Sequence, residues 1–182
     1  MSTITKCAIT VGLMALGVGA AMAQQYGFGT TPSAEELKKA VFAWPPNGRG
    51  LPAGSGTYEQ GKQVYTEKCA ACHGPDLQGV KGTGGAALIG GRGTLTGDSP
   101  KKTVESYWPY ATTVFDYTKR AMPFNAPGSL TDSEVYAVTA YILAEGKIID
   151  KGQVIDANTL PKVKMPNRDG FIPDPRPDVK PY

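Results

Sequence analysis

Lys68-Cys69-Ala70-Ala71-Cys72-His73-Gly74-Pro75 is the stretch that decides what kind of chain this is. Two thiols three residues apart near the end of a helix can reach the two vinyl groups along one edge of a porphyrin. The next residue then carries an imidazole beneath the ring. The motif therefore predicts one covalently attached haem, with thioethers at Cys69 and Cys72 and with His73 as an axial ligand of the iron. Gly74 and Pro75 turn the chain away afterwards. Three other readings of the same residues compete. A thioredoxin-like redox pair needs a strand and a βαβ context before it, but Gly61 to Lys68 is a helical pattern. A structural zinc site needs about four Cys or His ligands, and the chain has 1 histidine and 3 cysteines, of which Cys7 falls in the segment read below as a cleaved signal, leaving three ligands. A disulfide across the short loop is the last competitor.

The single histidine limits what lies on the other side of the iron. Bis-histidine ligation within the chain is excluded. A methionine thioether favours the ferrous state and suits an electron carrier. Met122, in Arg120-Ala121-Met122-Pro123-Phe124, is the expected distal ligand. Met165 in the tail and an open coordination position are the alternatives. Pro123 stiffens the loop that carries Met122.

Working outward, residues 57–146 read as one helical domain. Thr57 and Gln60 have capping-box spacing, and the helix they start is expected to run to about Ala71. Val80 to Gly97 is glycine-rich and reads as loop. Thr103 to Arg120 is expected to form two short helices meeting at Pro109. Thr131-Asp132-Ser133-Glu134 starts the clearest helix, running to about Ala144 and ended by Gly146. Its apolar residues lie on several faces, which predicts deep burial. Residues 24–56 form an arm with one short helix, Ser33 to about Ala43, in which Leu37, Ala40, Val41 and Trp44 could share a face. Asn47 to Gly56 reads as a linker. Residues 147–182 form a proline-rich tail, expected to lie extended over the domain surface.

Residues 1–23 have the pattern of a secretory signal: Lys6, an apolar run from Ala8 to Ala21, and Ala21-Met22-Ala23 as a small-x-small cleavage site. Cleavage would remove Cys7, leaving only the two motif thiols, and would place the protein in the periplasm. No other stretch is long and apolar enough to span a bilayer. The formal net charge is +3. With no Lys/Arg run to track phosphates, nucleic acid is excluded as a partner.

The order of helix, Cys-x-x-Cys-His, glycine-rich loop, Met-Pro loop and final helix, from about Thr57 to Gly146, resembles class I cytochromes c. The resemblance implies an all-α class I cytochrome c fold, here with an extended N-terminal arm and a Pro-rich C-terminal tail, and haem c as the one cofactor. It also implies that the first and last helices cross near the haem edge, with Gly61, Val64 and Tyr65 facing residues such as Tyr141.

A closer likeness lies outside that core. It is carried by Gly50-Leu51-Pro52-Ala53-Gly54-Ser55-Gly56-Thr57, by Tyr107-Trp108-Pro109-Tyr110-Ala111-Thr112-Thr113-Val114-Phe115-Asp116-Tyr117, by Gly128-Ser129-Leu130-Thr131-Asp132 and by Met165-Pro166-Asn167-Arg168-Asp169-Gly170-Phe171. These runs resemble the cytochrome c subunits of sulfite and sulfane-sulfur dehydrogenases of the Sox system. That likeness implies a molybdenum-containing dehydrogenase subunit as electron donor and a downstream cytochrome c or oxidase as acceptor. Arg92 and Trp108 are the candidate haem propionate contacts, since partly buried carboxylates need donors. Two other functions compete: a freely diffusing periplasmic carrier with several partners, and a haem enzyme such as a peroxidase. The second would need a vacant or displaceable distal position and acid–base help from Asp116, Tyr117 or a mobile loop.

Overall fold

The computed structural model describes residues 29–39, 43–172 and 174–176. The secretory signal read from residues 1–23 lies outside the described residues. The chain divides into two compact units, Met1–Ala40 and Val41–Tyr182.

The first unit contains helix α1, Ala34–Lys39. Ser33 caps it as its spacing predicts: Glu36 N–H donates to Ser33 Oγ (3.2 Å) and Ser33 N–H donates back to Glu36 Oε2 (2.8 Å). Ala40 and Val41, expected on its apolar face, lie outside the described residues. Trp44 lies beyond the helix and belongs to the second unit.

The second unit is built on two long helices that cross. Helix α2, Tyr58–Lys68, starts at a complete capping box: Gln60 N–H donates to Thr57 Oγ1 (3.3 Å) and Thr57 N–H to Gln60 Oε1 (3.0 Å). Helix α5, Asp132–Glu145, starts the same way at Thr131 and Glu134, and Gly146 closes it. Each such cap is worth about 1 kcal/mol. Ten consecutive residues of α5, Val135 to Ala144, are buried. That matches a helix apolar all round, which has to be surrounded by other elements.

Glycine sets how closely α2 and α5 approach. A Cβ on Gly61 would overlap the Ala137 carbonyl and come within 2.8 Å of Tyr141 Cβ. A Cβ on Gly56, just before the helix, would overlap the Ala137 backbone. Without side chains there, the backbones touch and the flanking rings close over them. Tyr65 and Tyr58 pack on Tyr141 with centroids 5.1 and 5.3 Å apart. Gly61, Tyr65 and Tyr141 thus face one another as the resemblance implied, and half-buried Val64 packs against the same core.

The middle segment departs from expectation. Helix α3 is the short Ala70–His73, and only α4, Ala111–Ala121, is helical between residues 103 and 121. Residues 103–107 make a single turn, with Tyr107 N–H bonded to Thr103 O (3.0 Å) and Ser106 Oγ bonded to Lys101 O (2.7 Å). Local side-chain bonds of this kind compete with helix continuation. Pro109 then bars a helix from running through.

The flanking segments are less peripheral than their composition predicts. Gly56 pairs with Ile155 and Ser55 with Asp156 in a two-stranded antiparallel ladder, β1 (Ser55–Gly56) with β2 (Ile155–Asp156). Trp44 stands edge-on to Phe115 (5.2 Å), and its Nε1–H donates to Gly50 O (2.7 Å). Tyr136, its phenol pushed up to about 12 by burial, donates to Pro52 O (2.9 Å). Residues 44–56 are therefore pinned to α4 and α5, not a free linker. The tail, expected to lie extended over the surface, is instead mostly turns, with β2 and a short 3-10 helix at Leu160–Lys162, and Ile155, Leu160, Val163 and Met165 are buried in the core. Prolines bar a long α-helix, yet Pro161 is accepted near the start of the short 3-10 helix, and turns can still direct apolar side chains into the core. Among the described residues, no helix is long and apolar enough to cross a membrane.

Candidate haem site

The motif sits at a break in the helix. Helix α2 ends at Lys68, Cys69 adopts φ −124° and ψ −36°, and α3 resumes at Ala70. The predicted run to Ala71 is thus interrupted one residue after Lys68. Backbone bonding carries across the break: Cys69 N–H donates to Tyr65 O (2.9 Å) and His73 N–H to Cys69 O (3.0 Å). The break leaves Cys69 half-buried against the core and Cys72 exposed. Gly74, at φ +80°, ends the turn, a conformation that a side chain at this position would strain. Tyr65, on α2, donates its hydroxyl to Gly74 O (2.6 Å) and so ties the end of the motif to its beginning.

Both thiols are unpaired, so the disulfide reading is not realised in this structure. Burial pushes the Cys69 thiol up to about 11, with Lys68 opposing the shift. A reactive redox pair is marked by a lowered thiol pKa, so this shift opposes the thioredoxin-like reading as well. Among the described residues, no three His, Cys, Asp or Glu side chains gather as a metal-ion site would require.

The glycine-rich loop folds back over the motif. His73 Nδ1 lies 2.7 Å from Ala86 O, thirteen residues along the chain. A carbonyl can only accept, so Nδ1 carries the proton and the Nε2 lone pair is left to bind a metal. Gly79 N–H donates to His73 O (2.7 Å), Val80 N–H to Cys72 O (3.1 Å) and Thr83 Oγ1 to Cys72 O (2.9 Å). A Cβ on Gly85 would overlap the Cys72 carbonyl. Glycine at 85 is what lets the loop lie on the motif and bring Ala86 to the imidazole. The residues present thus fit a covalently held haem: two unpaired thiols in correct spacing, and an imidazole whose tautomer and direction are already set.

The other residues singled out in the sequence lie as follows. Met122 is half-buried at the C-terminal end of α4, joined to Pro123 by a cis peptide. Met165 is buried in the hydrophobic core. Trp108 is half-buried with its ring edge-on to Tyr117 (5.6 Å). Arg92 donates from Nη2 to Gly146 O (2.6 Å) and places Nε 3.8 Å from Glu105 Oε2. Asp116 accepts from Arg120 Nε (2.7 Å) and faces Trp44 N–H (3.4 Å). Sequence reasoning missed Ala86 and Glu105. Ala86 acts through its carbonyl, which has no side-chain signature. Glu105 is one acid in a polar stretch and becomes conspicuous only when found buried.

Comparison with known proteins agrees with this geometry. The cytochrome c family profile matches residues 58–145, the span from the first residue of α2 to the last of α5. Thiosulfate dehydrogenase of Stutzerimonas stutzeri is 30% identical over 128 residues, covering 69% of this chain and 38% of the relative. Thiosulfate dehydrogenase of Psychrobacter arcticus is 26% identical over 124 residues, covering 66% and 32%. The chain thus spans about a third of the length of these curated relatives. Among solved structures, a chain of the sulfane dehydrogenase SoxCD from Paracoccus pantotrophus superposes with a TM-score of 0.74 at 37% identity, covering 84% of this chain and 74% of that one. With a loop folded onto a thiol–imidazole motif and a solved relative alike over most of both chains, this chain belongs to the cytochrome c family and is an electron-transfer domain carrying covalent haem c.

Proposed function

We propose that the protein is a periplasmic monohaem electron-transfer subunit. In this reading it accepts electrons one at a time from a molybdenum-containing sulfite or sulfane dehydrogenase subunit and passes them to a downstream cytochrome c or oxidase. The observation that carries this is the reach of the SoxCD likeness. It covers 84% of the chain, well beyond residues 58–145 of the family match. That reach exceeds the span a bare electron carrier needs and supports a partner for the segments flanking residues 58–145.

The haem iron, when bound, supplies a one-electron ferric–ferrous couple. The chain's own residues do the rest. Cys69 and Cys72 would tether the macrocycle, and His73 through Nε2 and Met122 through its thioether would hold the iron. The Ala86 carbonyl holds the His73 ring against rotation. Trp108 and the guanidinium N–H groups of Arg92 not committed to Gly146 are the proposed propionate contacts.

Two experiments test this reading. Replacing Met122 by Ala should abolish the far-red methionine–iron absorption band of the ferric protein. Survival of the band would move the distal role to Met165. Sulfite or thiosulfate should reduce the haem only with the dehydrogenase partner present. Reduction by either compound with the purified cytochrome alone would defeat the carrier reading.

A further inference from the structure

Glu105 is a buried acid that neither the motif nor the family match explains. Its side chain is only 10% exposed. Its Oε1 accepts from two successive backbone amides, Gly90 N–H (2.6 Å) and Gly91 N–H (3.1 Å). Burying a carboxylate is costly unless it is hydrogen-bonded and paired. Here the two amides and the Arg92 guanidinium at 3.8 Å meet that need. Arg92 in turn donates to Gly146 O, at the end of α5.

The residues held in this way continue the loop that holds the imidazole. Ala86, whose carbonyl faces His73 Nδ1, is four residues before Gly90. Between them, Leu88 N–H donates to Leu77 O (2.8 Å) and Leu88 O accepts from Val104 N–H (3.0 Å). Val104 is the residue next to Glu105. The strip 86–92 is thus tied by its backbone at Leu88 and by one carboxylate at Gly90 and Gly91. A loop rich in glycine has little stiffness of its own. Its position is therefore set by these anchors, and Glu105 supplies two of them.

We infer that Glu105 is a positioning residue for the haem's axial histidine: by clamping Gly90 and Gly91 it sets the Ala86 carbonyl against His73 Nδ1–H. A firm bond at Nδ1 makes the imidazole a stronger donor through Nε2 and favours the ferric state. Loosening the clamp weakens that donor and raises the reduction potential. The inference rests on His73 as axial ligand, which is part of the reading above.

Two variants separate geometry from charge. Glu105→Asp keeps the charge but shortens the side chain by about 1.5 Å, so both amides can no longer be reached. Glu105→Gln keeps the reach and an accepting oxygen but removes the charge. The measurements are solvent exchange of the His73 Nδ1 proton in the ferrous holoprotein by NMR, and the midpoint potential. The Asp variant is expected to speed that exchange roughly ten-fold or more and to raise the potential, with the Gln variant closer to wild type in exchange. A Gln variant that shifts the potential while the Asp variant leaves both readouts at wild-type values would overturn the inference in favour of a charge effect. No change in either variant would overturn it too. The wild-type spectrum tests the underlying assignment separately: an axial His73 ring shows strongly ring-current-shifted proton resonances, and their absence would refute the axial role whatever the variants do.

Discussion

The double variant Cys69→Ala, Cys72→Ala, produced in a host able to mature such proteins, is expected to emerge with no haem that survives denaturation. Haem staining on a denaturing gel should fall to background, and the motif peptide should have the mass of its amino acids alone. The reason is the chemistry of attachment. Thioethers keep the macrocycle at high local concentration beside its ligands, on the order of millimolar for a short flexible tether. Without them the proposed ligands, His73 and Met122, would have to hold it by coordination alone. The polypeptide loses more than a cofactor, because Cys69 packs against the core cluster at the helix break. Each single variant keeps one thioether and should retain covalent haem at reduced yield. Covalent haem persisting in the double variant would mean that the attachment chemistry lies elsewhere.

Gly61→Ala is expected to destabilise the fold strongly. Its Cβ would overlap the Ala137 carbonyl where α2 and α5 cross. Backbone cannot rotate aside as a side-chain end can, so the helices must separate, uncovering the Tyr58, Tyr65 and Tyr141 contacts. Overpacking of this kind costs about 3 kcal/mol. Helix propensity returns only about 1 kcal/mol of it. The net loss of about 2 kcal/mol is measurable as a lower denaturant midpoint at unchanged slope. Gly152→Ala is the control, since nothing lies within 4 Å of a Cβ there. If the two variants proved equally stable, the close crossing of α2 and α5 would be wrong.

Local signals explain which elements were readable in advance. Thr57 with Gln60, and Thr131 with Glu134, announce helix starts by a spacing that works within four residues, and both capping boxes form. Pro109 announced a break correctly, but not that the segment before it would remain one turn held by Thr103 and Ser106. The linker and tail were harder. Their glycines and prolines report that the backbone cannot be helical, and composition says nothing about where such chain goes. Trp44 on Phe115, and Ile155 paired with Gly56, are contacts with partners 71 and 99 residues distant in sequence.

The site divides along the same line. Cys69, Cys72 and His73 lie within five residues, so the expectation of a covalently held haem could be read from their spacing, while the family rests on the match over residues 58–145. Which imidazole nitrogen is free, and what holds the ring, depend on Ala86 arriving from thirteen residues away. That approach exists because Gly85 has no side chain to collide with Cys72, and because Glu105 clamps the glycines beyond it. Covalent spacing is a local property and is written in the chain. The orientation of a ligand is a property of non-local packing, and only the folded molecule supplies it.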